Sequence, residues 1–108
     1  MGRPVTHWQI VTPNPDGVAT FYSRLFEWEV NADNALGYRR VDTGSEAGMP
    51  GGIWPAPPDA PTFVQLMVEV DDVAAHVARA TALGARVLVP PQHLPDGDQM
   101  AILQDPQG

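Results

Sequence analysis

The sequence predicts an α+β domain built from two βαβββ modules, and three observations carry that expectation. Residues Val5 to Thr12 alternate, with Trp8 and Ile10 on one face and His7, Gln9 and Val11 on the other, as a strand with two different neighbours does. A helical pattern follows at once, and the same order returns at Phe63 to Val70 and about Val73 to Leu83. Between the two lies Pro55-Ala56-Pro57-Pro58-Asp59-Ala60-Pro61, a stiff connector whose proline nitrogens can donate to no ladder. A chain of 108 residues is the size of one domain with one modest core, so the modules, about 1–58 and about 59–108, are halves of a single unit.

In the first half, Asn14 is a good N-cap and Pro15 suits the first helical position. Val18, Phe21, Tyr22, Leu25 and Phe26 then recur at helical spacing and form one apolar stripe. Trp28-Glu29-Val30 is extended, Asn31 to Gly37 is turn-rich, Tyr38 to Thr43 is extended again, and a turn through Gly44 to Gly48 leads to the short strand Gly51 to Trp54. Short strands joined by hairpins fit this pattern. In the second half, Leu66, Val68 and Val70 share one face of the opening strand and Gln65, Met67 and Glu69 the other. Asp71-Asp72 cap a helix whose stripe is Val73, Val77, Ala80 and Leu83, with Gly84 at its C′ position. Arg86 to Val89 and Met100 to Leu103 are strands separated by a polar turn region from His93 to Gln99. Set against each other, the halves place Leu25 to Val30 opposite Ala82 to Val87, and His7 opposite Gln65. That is an internal repeat.

Composition excludes more chemistry than it establishes. There is no cysteine, which removes disulfides, a thiolate nucleophile and zinc–thiolate sites. All six basic residues are arginine, so no lysine can form a Schiff base. Thirteen acidic residues leave a net charge of −7 with no basic run, which argues against a nucleic-acid partner and against an anionic membrane surface. No apolar run approaches the length of a membrane span, and the first residues lack the pattern of a secretory signal or a transit peptide, so a cytoplasmic location is expected. Met-Gly-x-x-x-Thr formally matches a myristoylation pattern, but Thr6 is better used inside the first strand.

Four stretches carry a family resemblance: Thr6-His7-Trp8-Gln9-Ile10; Ala19-Thr20-Phe21-Tyr22-Ser23-Arg24-Leu25-Phe26-Glu27-Trp28; Val70-Asp71-Asp72-Val73 with Ala82-Leu83-Gly84-Ala85; and the closing Leu103-Gln104-Asp105-Pro106-Gln107-Gly108. Together they span nearly the whole chain, which resembles the glyoxalase, bleomycin-resistance and extradiol-dioxygenase group, the vicinal oxygen chelate superfamily. The resemblance implies a curved mixed sheet around a pocket that holds a divalent metal in many members, with ligands on the first and fourth strands of each module. By position His7 matches the first ligand and Gln65 the one that opens the second module. Three departures follow. Gly51 to Trp54 offers no carboxylate where metal-dependent members place a glutamate. The strand that would carry the last ligand is expected after Gly108. Glu27 stands where relatives have a glycine, so either a left-handed cap is strained by about 1 kcal/mol or the helix ends differently.

A divalent site needs about three protein ligands and an open position. One histidine and one amide fall at ligand positions here, with Gln9 and Glu69 as substitutes on the same faces. The expectation is therefore a pocket protein whose inherited metal site has decayed, binding a small apolar or aromatic molecule through His7, Gln9, Trp54, Gln65, Met67 and Glu69. Its rival is a metal-dependent lyase, isomerase or dioxygenase in which His7 is a metal ligand. A ferredoxin-like fold is a third reading and predicts only one strand after each helix before the next unit, where Tyr38 to Trp54 holds two more. His76 reads as a helix-surface residue, His93 as a loop residue, and Asp96-Gly97-Asp98 as turn chemistry. A strand edge left without a ladder neighbour would favour a homodimer.

Overall fold

The chain is described by a computed structural model over residues 2–32 and 37–108. Among those residues the order is β1 (Val5–Thr12), α1 (Pro15–Phe26), β2 (Glu29–Asn31), β3 (Arg39–Asp42), β4 (Gly51–Pro55), β5 (Phe63–Val68), α2 (Val73–Ala82), β6 (Arg86–His93) and β7 (Gln99–Gln104). The fold is α+β with parallel and antiparallel pairing, as expected. Two further strands do follow β2 before the connector, so the ferredoxin-like alternative is wrong. Most of the turn expected between Asn31 and Gly37 lies outside the described residues. The chain forms two compact units, Met1–Glu69 and Val70–Gly108, and β5 belongs to the first.

In the first unit the strand order is β2-β3-β4-β1-β5. β1 runs parallel to β4, a pairing that needs a long crossover, and α1 with β2 and β3 supplies it. On its other side β1 pairs antiparallel with β5. Asn14 Oδ1 accepts from the Gly17 N–H at 3.1 Å and so satisfies one free donor of the first turn. The helix ends at Glu27, whose φ of 59° is left-handed and whose N–H donates to the Ser23 carbonyl at 2.9 Å. The ending that suits glycine is thus kept with a glutamate in it.

The core is small: Ile10, Val41 and Ile53 are buried, and Trp8, Val18, Ala19, Tyr22, Trp28 and Val30 pack against them. Trp28 is sandwiched among aromatics, stacked on Tyr22 at 5.2 Å and tilted against Trp8 at 5.2 Å. β4 opens with Gly51 and Gly52 because rings cover both: a Cβ at Gly51 would enter the Trp8 indole, and one at Gly52 the Tyr38 phenol.

In the second unit Asp72, not its neighbour, caps α2, accepting from the Ala75 N–H at 3.0 Å. Gly84 follows the helix at a φ of 102°. β6 and β7 form an antiparallel pair. β6 runs on to His93, past the end expected at Val89, although it contains Pro90 and Pro91. The ladder accommodates these prolines, which have no N–H to give, by a register shift between Val89 and Gln92, which follows another between Val87 and Val89. The polar turn correspondingly shrinks, and the Leu94 N–H donates to the Asp98 carbonyl at 2.7 Å.

Candidate functional site

Strand alternation sorts the side chains of the five-stranded sheet. Trp8, Ile10, Val41 and Ile53 point to the face that α1 covers. On the opposite face lie His7 and Gln9 of β1, Gly52 and Trp54 of β4, Gln65 and Met67 of β5, Arg40 and Asp42 of β3, and Glu29 and Asn31 of β2.

On this second face a cavity of about 880 Å³ lies against one end of the strands, entirely within the first unit, and His7, Glu29, Asn31, Tyr38, Arg40 and Asp42 are in its lining. His7 is half-buried, and loss of solvation lowers its pKa, so its neutral form is favoured. Its Nδ1 lies 2.9 Å from Thr6 Oγ1, and that hydroxyl donates to the Met67 carbonyl at 3.4 Å. At 2.9 Å the ring contact is the shorter of the two, and its donor is set by the His7 tautomer.

Gln9 is 3% exposed and closed into a chain of hydrogen bonds. Gln65 Nε2 donates to Gln9 Oε1 at 2.7 Å, and Gln9 also bonds the Tyr38 hydroxyl. Burial raises the Tyr38 pKa, while the Gln9 hydrogen bond and the Arg40 charge oppose that rise. Tyr38 packs against Trp54 with ring centroids 4.6 Å apart. The Trp54 Nε1 is buried without a hydrogen-bond partner among the described residues.

Of the residues singled out from the sequence, the structure places His7 in the cavity wall. Gln9, Gln65 and Trp54 lie on the same sheet face, along the strands from His7, and Met67 faces His7 directly across the β1–β5 pair. Glu69 lies one residue past β5, exposed, with its N–H donating to the Pro4 carbonyl at 3.0 Å. His7 and Gln65, aligned by the repeat, are not cross-strand partners: Gln65 faces Gln9. Sequence reading missed the β2–β3 wall. Its signal was present in the alternation Glu29, Asn31 and Arg40, Asp42, but which face of a short hairpin meets a cavity depends on its partner strands.

No helix of the described chain is long and apolar enough to cross a membrane. The family model described as a glyoxalase-like domain matches residues 7–108. The "Putative glyoxylase CFP32" proteins of Mycobacterium bovis and Mycobacterium tuberculosis are each 30% identical over 103 residues, 93% of this chain, which spans only 39% of their length. Among solved structures, a methylmalonyl-CoA epimerase in complex with methylmalonyl-CoA and NH4+ is similar at a TM-score of 0.55 and 19% identity, over 94% of this chain and 85% of that one. A variant of the Streptomyces coelicolor methylmalonyl-CoA epimerase, in complex with 2-nitronate-propionyl-CoA, is similar at 0.55 and 20%, over 96% and 88%. At these identities the likeness to the epimerases is one of fold. Sequence match and fold agree, and the chain belongs to the glyoxalase-like domain family of the vicinal oxygen chelate superfamily.

Proposed function

We propose that this chain binds a small apolar or aromatic molecule in the cavity beside His7 and Tyr38, at a place where its superfamily's metal site has decayed. The observation that carries the reading is the donor set on β1, β4 and β5. His7 faces Met67, and Gln9 and Gln65 satisfy each other. On β4 the positions on this face are Gly52, whose side-chain space Tyr38 fills, and Trp54. Among the described residues no three His, Cys, Asp or Glu side chains converge to hold a metal. A divalent ion that needs about three such ligands does not fit this set.

A cavity of about 880 Å³ falls in the size range of small-molecule sites. The Tyr38–Trp54 pair gives the adjoining sheet face aromatic surface, and neutral His7 offers an uncharged imidazole in the cavity wall. Sequestration follows from these parts, and no covalent or proton-transfer step is assigned to them.

Elemental analysis and titration with nickel, zinc, manganese and iron, on wild type and His7→Ala, test the metal side. The expected result is no stoichiometric metal in either protein, followed by thermal stabilisation of wild type by members of a panel of aromatic compounds. Stoichiometric metal that is lost in His7→Ala would overturn the reading in favour of a metal-dependent lyase, isomerase or dioxygenase.

We propose further that the chain forms a homodimer. Support comes from β5, which ends its sheet with one edge outside the ladder and carries Val64 and Leu66 at 66% and 67% exposure.

A further inference from the structure

Register lines up one row of residues across all five strands on the site face of the sheet. Asn31 on β2 is opposite Arg40 on β3, Arg40 is opposite Gly52 on β4, Gly52 is opposite Gln9 on β1, and Gln9 is opposite Gln65 on β5. Every position but Gly52 carries a polar side chain, and the Tyr38 hydroxyl fills that gap, since a Cβ on Gly52 would run into the phenol oxygen. Tyr38 stands one residue before β3 and reaches the row with its ring against Trp54, the centroids 4.6 Å apart. Gln9, 3% exposed, holds both the Gln65 amide, at 2.7 Å, and the Tyr38 hydroxyl. A carboxamide buried this deeply and bonded on two sides has little freedom to turn, so it fixes the hydroxyl it holds. Of these three side chains, Tyr38 is the one in the cavity lining.

Burial sorts the rest of that lining. Glu29, Arg40 and Asp42 are exposed, with Glu29 opposite Asp42, and Asp42 two residues from Arg40 on the same face. Charges placed so are of both signs and are screened by water. His7 and Tyr38 are half-buried, and loss of solvation disfavours charge on each, lowering the His7 pKa and raising that of Tyr38. The sheltered groups of the cavity are thus polar and neutral.

We propose that the Tyr38 hydroxyl is the recognition group of this cavity, set in place by Gln9 and Gln65, and that the compound taken there carries an uncharged carbonyl or hydroxyl on its apolar or aromatic body. A phenol hydroxyl donates one hydrogen bond and accepts others, so bonds to Gln9 and to a ligand group are compatible. Gln9 and Gln65 act through Tyr38 and are positioning residues. A polar group that meets the ligand away from water discriminates against an analogue that cannot pair with it. This inference rests on the small-molecule reading above and names the class of molecule.

The test uses 1-indanone and indane, which share a carbon skeleton and differ by one carbonyl. Calorimetric titration of the full chain gives the ratio of their affinities, and Tyr38→Phe is expected to shift that ratio about fivefold against indanone. Gln65→Leu should shift it in the same direction. The chain has two tyrosines, Tyr22 and Tyr38, so protein labelled with carbon-13 at the tyrosine Cζ gives two signals, told apart by Tyr22→Phe. Indanone is expected to move the Tyr38 signal more than indane does, and Gln65→Leu should displace that signal before any ligand is added. Thermal melts report folding, and the labelled wild-type protein decides the matter if Tyr38→Phe fails to fold. A ratio unchanged in Tyr38→Phe, or a Tyr38 signal that answers both probes alike, overturns the role of the hydroxyl and leaves the small-molecule reading standing. A Tyr38 signal that stays in place in Gln65→Leu overturns the positioning role. Failure of both probes to bind wild type overturns the recognition and the small-molecule readings together.

Discussion

At the scale of single residues, His7 and Glu27 hold states that their unfolded counterparts do not share. Burial keeps His7 neutral to a lower pH than the usual 6.5 of the unfolded chain, so the unfolded chain takes up that proton first as pH falls. The stability contributed is complete above about pH 6.5 and is lost progressively below it. Urea denaturation from pH 8 to 5 is expected to show this decline, and His7→Gln should flatten it; an unchanged slope in the variant would remove His7 as the cause. Glu27 sits at a φ of 59°, which costs an L-residue side chain and costs glycine little. Glu27→Gly is expected to stabilise the protein by about 0.5–1 kcal/mol in the same assay, since relief of the cap outweighs the added freedom of the unfolded chain. The family resemblance pointed to this position and left a strained cap or a different ending open, and the structure keeps the left-handed ending.

At the scale of elements, β4 decides what the sheet can hold. Its Gly51-Gly52 pair is where Trp8 and Tyr38 lay their rings, so absence of a carboxylate from this strand and presence of an aromatic wall have one steric cause. Gly52→Ala is expected to push Tyr38 off the strand, weaken its bond to Gln9, and destabilise the protein by about 1–3 kcal/mol. Equilibrium denaturation checks the magnitude, and near-ultraviolet dichroism of the Tyr38–Trp54 pair checks the place. Helices were legible because caps are local: Asn14 and Asp72 each accept the backbone N–H expected of them. The end of β6 was not, because the prolines in it are tolerated through register shifts that only its pairing with β7 reveals.

At the scale of the molecule, the free edge and exposed apolar face of β5 bear on assembly. Light scattering is expected to give the mass of a dimer, and Leu66→Arg should shift it to that of one chain; a wild-type monomer at micromolar concentration would end the dimer proposal. The order of elements, the capping of both helices and the resemblance to the family followed from the sequence by itself, because alternation, helical spacing and cap chemistry act over a few neighbouring residues. Tertiary structure decided how those elements meet: β5 pairs with β1 and sits in the first unit, Gln65 meets Gln9 instead of His7, and Arg40, not Arg39, is the one that meets the cavity. The physical reason is that strand register and the occupant of a glycine's empty space are set by residues tens of positions away, and no local pattern in the chain encodes them.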